Sequence, residues 1–276
     1  MRVFITGGTG FIGSQVIRKL TKEKHELFVL SENLANANAW KVQVKHFRPE
    51  AMIHLAWEGI PDYSYQMSLK NLRYGIDLFE VAAKMGCKKI ISTGSCWEYG
   101  TFKGTLNENM AVRPFNAFTA AKNSLHWLGK ELAKENDIKF VWARLFFVYG
   151  PGQRKKSLIP YLIDCARKGI EPRIKNYETK NDFVYVEDVA EAITKLLSHA
   201  KSGTYNVGSG KATSVHKVCK VVYQLLGREK ILRDRLFETK PHQADNFWAD
   251  ISRMKQDVRW LPKTDLKQGI KKMLNY

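Results

Sequence analysis

No apolar run in this 276-residue chain approaches the roughly 18–20 residues that a bilayer span needs, so no membrane association is expected. Cysteine is scarce. The four present, Cys87, Cys96, Cys165 and Cys219, stand far apart and form no CxxC pair, which argues against a disulfide framework or a cysteine-based zinc site. No metal site is expected, and Cys87, Cys165 and Cys219 read as core fillers. A secretory apolar region is also missing, because MRVFITGG turns straight from a strand into glycines; a reducing, cytoplasmic setting fits. Acidic residues are few: 27 Asp and Glu against 45 Lys and Arg leave a formal charge of +18. That excess raises the question of nucleic acid, but the basic residues lie in short groups such as Lys88-Lys89, Arg154-Lys155-Lys156 and Lys271-Lys272. None reaches the about 5–8 residues of a basic patch motif. A solvated, lysine-rich surface is the favoured reading, and no nucleic-acid partner is expected. The same positive potential would attract an anionic diphosphate ligand.

What is present is globular: 44% apolar and 12% aromatic residues exclude a disordered or fibrous chain. The first half alternates short apolar runs with helical patterns. Strands are expected over Arg2–Thr6, Leu27–Leu30, Met52–Leu55, Lys89–Thr93 and Lys139–Leu145. Helices are expected from Ile12, along Leu69, Leu72, Ile76 and Phe79, and over Ala117–Lys134. Such alternation implies an α/β fold, a doubly wound parallel sheet covered by helices on both faces. Beyond Tyr149-Gly150-Pro151-Gly152 the texture changes. Helices are expected over Ser157–Lys168, Asp188–His199 and Val215–Leu226 and in the tail from Thr264, with strands at Asp182–Val186 and Thr204–Val207. The expected organisation is a dinucleotide-binding domain over 1–150, to which 182–204 returns. Residues 151–181 and 205–276 form a smaller C-terminal α/β cap lobe.

The strongest motif is Gly7-Gly8-Thr9-Gly10-Phe11-Ile12-Gly13, between a strand and an amphipathic helix. Gly7 permits the tight turn, Gly10 lets the backbone approach a pyrophosphate, and Gly13 packs helix against sheet. The helix N-terminus offers free N–H groups and the positive end of its dipole to phosphates. At the end of the second strand a carboxylate would select NAD, and its loss with a nearby Arg would suit NADP. Ser31 occupies that place and Glu32 follows it, with no Arg beside them, so NAD and NADP both remain open.

Several fragments in fixed order resemble the extended short-chain dehydrogenase/reductase family, in its NAD-dependent epimerase/dehydratase branch that acts on nucleotide sugars. They are TGGTGFIGS at Thr6–Ser14, HLAW at His54–Trp57, STGSCWEYG at Ser92–Gly100, RLFFVYGPGQ at Arg144–Gln153, DFVYVEDVAEAI at Asp182–Ile193, YNVGSG at Tyr205–Gly210 and ADISRMKQDVRWLP at Ala249–Pro262. The resemblance implies a Rossmann-type fold, a homodimer joined by the helices near Asn71–Met85 and Ala117–Lys134, and a nucleotide-sugar substrate. It implies that Gly7, Gly10, Phe11, Ile12, Gly13, Ser31, Glu32, Leu55, Ala56 and Lys122 hold the cofactor, and that Trp57, Ser95, Cys96, Phe147, Arg154 and His242 face the substrate.

Ser95 matches the family's catalytic hydroxyl and Lys122 its catalytic lysine. Four residues before Lys122, where the family carries a tyrosine, stands Phe118, which has no proton to exchange. Three readings follow: the proton carrier has moved, the chain binds cofactor with little turnover, or the residue was deliberately substituted. The literal YxxxK at Tyr99–Lys103 is rejected, because it runs through Gly100 and collides with the Ser95 motif. Cys96 is the leading moved acid/base, with a lowered thiol pKa expected beside Lys122. Tyr63, Tyr149 and His126 rank below it. Cys96 and Trp97 replace the Asp-Glu pair that dehydratases use, which disfavours simple dehydration, and Glu98 is expected on the opposite side. Phe147, Asn181 and His242 stand where the family commonly carries groups near the diphosphate, and Arg154 and Arg173 could compensate. The function expected is an NAD(P)-dependent nucleotide-sugar epimerase or 4-ketoreductase. The alternative is a catalytically weak dinucleotide-binding protein that senses redox state or binds RNA.

Overall fold

A computed structural model describes residues 1–31, 34, 37–232 and 246–276, so Glu32 and His242 lie outside the described residues. The first half runs β1 (Arg2–Thr6), α1 (Phe11–Lys22), β2 (Glu26–Leu30), α2 (Ala37–Phe47), β3 (Ala51–His54), α3 (Tyr65–Lys84) and β4 (Lys89–Ser95). A 3-10 turn over Cys96–Tyr99 follows, then β5 (Gly104–Leu106), α4 (Ala117–Glu135), β6 (Lys139–Leu145) and β7 (Phe147–Tyr149). The remainder holds α5 (Leu158–Lys168), β8 (Lys180–Asn181), β9 (Phe183–Tyr185), α6 (Val186–His199) and β10 (Gly203–Val207). Last come β11 (Thr213–Ser214), α7 (Val215–Leu225), β12 (Phe247–Ala249), α8 (Ser252–Val258) and α9 (Leu266–Leu274).

Six strands form one sheet in the order β10-β6-β4-β3-β1-β2, and every pairing is parallel. Alternation along each strand sends side chains to opposite faces. Val3, Ile5, Ile53, Ile91, Val141 and Ala143 pack with α1 and α6 through Val16, Val189 and Ile193. Their neighbours Phe4, Met52, Ile90, Phe140 and Trp142 pack with α3 and α4 through Leu78, Phe79 and Leu125. Both faces are thus buried, which is why the strands read as nearly continuous apolar runs. Fully burying one such Val, Ile or Phe is worth about 1.5–3 kcal/mol. Strand order switches at β1: β2 is added on one side of it and β3 on the other, with every strand still running the same way. In parallel α/β sheets a ligand crevice opens at the strand C-termini at that switch.

Two differences from the sequence reading concern helices. Leu69, Leu72 and Ile76 are only half-buried, and the inner face of α3 is Ser68, Asn71, Gly75, Leu78 and Phe79. The small residues let α4 approach: a Cβ on Gly75 would stand 2.6 Å from a Leu125 methyl. The second is α2, which no expectation covered; it buries Trp40 and Val44, one turn apart. At the lobe boundary, β10 pairs with β6 along its whole length and continues to Val207, past the expected limit of 204. Met254, Val258 and Trp260, assigned to the cap from sequence, pack into the core beneath α6. A further core cluster joins α5, α7 and α9, with Leu162, Val218, Val222 and Ile270 buried alongside Tyr149, Tyr185 and Val186. All four cysteines are free and buried. Among the described residues no helix is long and apolar enough to cross a membrane, and no three His, Cys, Asp or Glu side chains converge.

Candidate active site

A cleft of about 650 Å³ opens at the C-terminal ends of β1, β3 and β4. It brings together Gly7, Gly10, Phe11, Ile12 and Gly13 with Leu55, Ala56 and Trp57, then Ser95, Cys96, Phe118 and Lys122, and beyond β6 Phe147 and Arg154. Ser31 stands exposed just past β2 and does not line it.

The glycine turn divides its requirements. Gly7 has φ +72°, and a Cβ there would stand 2.6 Å from the Ala56 amide nitrogen. A Cβ on Gly13 would collide with the Gly7 carbonyl oxygen. Those two glycines are demanded by the protein's own packing. Gly10 is different: the one neighbour a Cβ would meet is the Gly7 oxygen at 3.2 Å. Its bareness leaves room for something outside the chain. It also serves as N-cap of α1 with no side-chain cap, and no acidic residue sits in the first turn. Orphan N–H groups and an uncompensated dipole end there suit an anionic pyrophosphate, so the residues present fit a dinucleotide.

Ser95 ends β4 and caps the 3-10 turn. Its Oγ accepts from the Trp97 amide at 3.2 Å, which leaves the hydroxyl hydrogen to donate elsewhere. Its own amide donates to Glu98 Oε1 at 2.7 Å. Glu98 is fully buried and receives two further donors, Arg144 Nε at 2.9 Å and Trp142 Nε1 at 3.0 Å. Glu98 therefore faces away from the cleft, but through the 3-10 turn over Cys96–Tyr99 and not through a continued strand period, and its role as a buried anchor had no signal in the sequence. Asn71 is a second anchor that went unread. Its Oδ1 accepts from the Glu58 amide at 2.7 Å and its amide donates back to the Glu58 carbonyl, pinning the loop after β3.

Asn116 caps α4 by accepting from the Thr119 amide at 2.9 Å, while Thr119 Oγ1 accepts from the Asn116 amide. This box sets the register that points Phe118 and Lys122, one turn apart, into the cleft. Lys122 is 4% exposed. Its Nζ donates to the Thr93 carbonyl at 2.7 Å and stands 4.0 Å above the Trp57 ring. Burial pushes the ammonium down to about 7, and the Glu98 carboxylate pulls partway back. Burial, helped by the Lys122 charge, pushes His54 down to about 3; its Nδ1 lies 2.7 Å from Thr6 Oγ1.

Several sequence expectations are corrected. Cys96 was expected to have a lowered thiol pKa; burial instead pushes it well up, and the Asp182 and Glu98 charges add to that. The thiol packs with Tyr99, Leu106, Phe146 and Phe247, an environment that disfavours the thiolate. Tyr149 is 1% exposed, donates to the Asp265 carbonyl and does not line the cleft. His126 stacks on Trp142 with ring centroids 4.8 Å apart and lines a separate cavity of about 650 Å³ with Trp127, Lys130 and Thr204. Burial pushes it to about 3. Tyr99 is fully buried and donates to Asn206 Oδ1 at 2.7 Å, far from any shuttle role with Lys103. Arg173 does not line the cleft. Tyr63 does: its ring lies 5.0 Å from that of Phe118 and 5.4 Å from that of Trp97.

The model of the NAD dependent epimerase/dehydratase family matches residues 3–208. A putative UDP-glucose 4-epimerase of Methanocaldococcus jannaschii is 27% identical, with 99% of this chain and 97% of the relative covered. The dTDP-4-dehydro-6-deoxyglucose reductase of Escherichia coli is 24% identical, covering 99% and 96%. The crystal structure of the UDP-glucose 4-epimerase of Thermotoga maritima, determined with UDP-glucose, superposes with a TM-score of 0.89 over 100% of this chain and 98% of that one, at 22% identity. That likeness is one of fold.

Proposed function

The chain belongs to the NAD dependent epimerase/dehydratase family, and from that premise we propose that it interconverts the hydroxyl and keto forms of a nucleotide-linked sugar, as an epimerase or a 4-ketoreductase. The cofactor is NAD or NADP, which supplies or accepts the hydride. The observation that carries the reading is the sharing of one cleft by the bare Gly10 turn, Ser95 and Lys122. Relatives of both kinds, the epimerase of M. jannaschii and the reductase of E. coli, match nearly the whole chain.

In this reading Gly7, Gly10 and Gly13, with the first turn of α1, hold the pyrophosphate, and Leu55 and Ala56 flank it. Ser31, just past β2, is the described residue on the adenosine ribose side. Lys122, already oriented by Thr93, reaches the nicotinamide ribose. The Ser95 hydroxyl donates to the sugar oxygen as it becomes a carbonyl, where charge develops. Trp57, Cys96, Phe147 and Arg154 face the nucleotide sugar, Cys96 as a neutral wall. Cys96 and Trp97 offer no carboxyl pair, so elimination of water is not the reaction. Tyr65, Trp127 and Leu128 are exposed on α3 and α4 at 71%, 52% and 51%, and a homodimer through those two helices buries them.

The test is calorimetry with NAD and NADP followed by product analysis with UDP-glucose and with a 4-keto dTDP sugar. Epimerised UDP-glucose marks an epimerase, and a reduced 4-keto sugar marks a reductase. Saturable binding of neither dinucleotide overturns the reading.

A further inference from the structure

We propose that Tyr63 is a catalytic residue, supplying the proton for which Phe118 has no group. The proposal rests on the redox reading of the cleft above and names the proton carrier within it. Phe118 is 6% exposed and occupies the cleft position one turn before Lys122. The ring packed nearest to it is a phenol: Tyr63 lies 5.0 Å from it, centroid to centroid, tilted by 53°. Trp97 closes the other side of Tyr63 at 5.4 Å. A phenol ring thus reaches the neighbourhood of residue 118 from the loop after β3 instead of from α4.

The loop is held for that purpose at both ends. Asn71 pins Glu58, the Asp62 amide donates to the Gly59 carbonyl at 2.7 Å, and Asp62 Oδ1 accepts from the Ser64 amide at 2.9 Å. Ser64 in turn caps α3. Among the described residues no partner engages the Tyr63 hydroxyl.

The other titratable side chains that line the cleft, Glu58, Cys96, Lys122 and Arg154, are otherwise engaged. Glu58 is paired with Lys70 at 2.7 Å. Cys96 is enclosed by apolar side chains. Arg154 is a permanent cation, and Lys122 is bonded to Thr93 and stacked on Trp57. In the reductive direction the dinucleotide, when bound, would supply a hydride to the sugar carbonyl carbon. The Tyr63 O–H bond breaks, its proton passes to the carbonyl oxygen, and the C=O bond becomes C–OH. The phenolate left behind regains a proton from solvent. Oxidation runs the same exchange backward.

The experiment compares wild type, Tyr63→Phe and the double variant Tyr63→Phe/Phe118→Tyr, with a 4-keto dTDP sugar and the reduced dinucleotide. Tyr63→Phe keeps the ring and its aromatic contacts. The expected loss in kcat is about 10²–10⁴-fold, with dinucleotide affinity unchanged, and the double variant recovers at least about tenfold. A readout independent of turnover accompanies it: tetranitromethane nitrates Tyr63 in the free protein, and dTDP-glucose blocks it. Tyr63→Phe within threefold of wild type overturns the proposal alone. So does a loss that the double variant does not recover, or nitration that the nucleotide sugar leaves unchanged. A wild type that binds these sugars without turnover removes the functional reading and the proposal with it.

Discussion

Replacing Glu98 by glutamine changes one oxygen to an NH₂ group, yet three donors converge on that carboxylate. The Ser95 amide is 2.7 Å from Oε1, and Arg144 Nε and Trp142 Nε1 are 2.9 and 3.0 Å from Oε2. Whichever way the new amide is turned, its hydrogens meet a donor. Glu98 and Arg144 are 0% and 3% exposed, so water cannot take over. Breaking a buried ion pair from one side is worth about 3–5 kcal/mol, because the remaining charge stays buried and uncompensated. We expect Glu98→Gln to lower the unfolding free energy by about 3 kcal/mol or more, read from the urea midpoint. A Glu98→Met/Arg144→Met double variant should be less destabilised than Glu98→Gln, since it removes both charges. In any folded variant the end of β4 loosens, so kcat falls while the dinucleotide Kd changes little. A Glu98→Gln midpoint within about 0.5 kcal/mol of wild type would refute the anchoring role of Glu98.

Gly10→Ala should weaken dinucleotide binding at least about tenfold, equivalent to 1.4 kcal/mol, while barely moving Tm, because a Cβ there meets only the Gly7 oxygen. Gly13→Ala should lower Tm itself; equal behaviour of the two variants would contradict the division of roles in the turn. Stability should also fall as pH drops from 6.5 towards about 3, since folded His54 and His126 refuse protons until about 3 while the unfolded chain binds them below 6.5. Each adds up to about 1.4 kcal/mol per pH unit, so His126→Gln should flatten the slope; an unchanged slope would show that His126 is not buried neutral.

The parts of the molecule legible in the sequence are those where local signals agree. The strand over Lys139–Leu145 and the glycine turn opening α1 combine continuous apolar runs with glycine punctuation. The strand expected over Asp182–Val186 shortens to Phe183–Tyr185 for tertiary reasons. The Asp182 carboxylate turns to accept from the Ser209, Gly210 and Ala249 amides, and Val186 opens α6 with Glu187 and Asp188 in its first turn. Helix α2 escaped because Trp40, Val42 and Val44 alternate like a strand, although only Trp40 and Val44 are buried. In the site, motif spacing located Ser95, Lys122 and Phe118, which do share one cleft. It could not show that Cys96 is enclosed by apolar neighbours or that Glu98 anchors Ser95, since both depend on residues about 45 to more than 100 positions away. Nor could it raise Tyr63 above Cys96, since the contact of Tyr63 with Phe118 spans α3, β4, the 3-10 turn and β5.

The proposed function requires hydride transfer between a nicotinamide dinucleotide and the carbon of a nucleotide-linked sugar in the Ser95–Lys122 cleft. Its most direct test is to supply 4-deuterated NADH and NADPH, labelled in turn on each face, with a 4-keto dTDP sugar and to weigh the product. The account predicts deuterium in the sugar from one face of one cofactor. Saturable cofactor and sugar binding with no deuterium transferred from either face would contradict it.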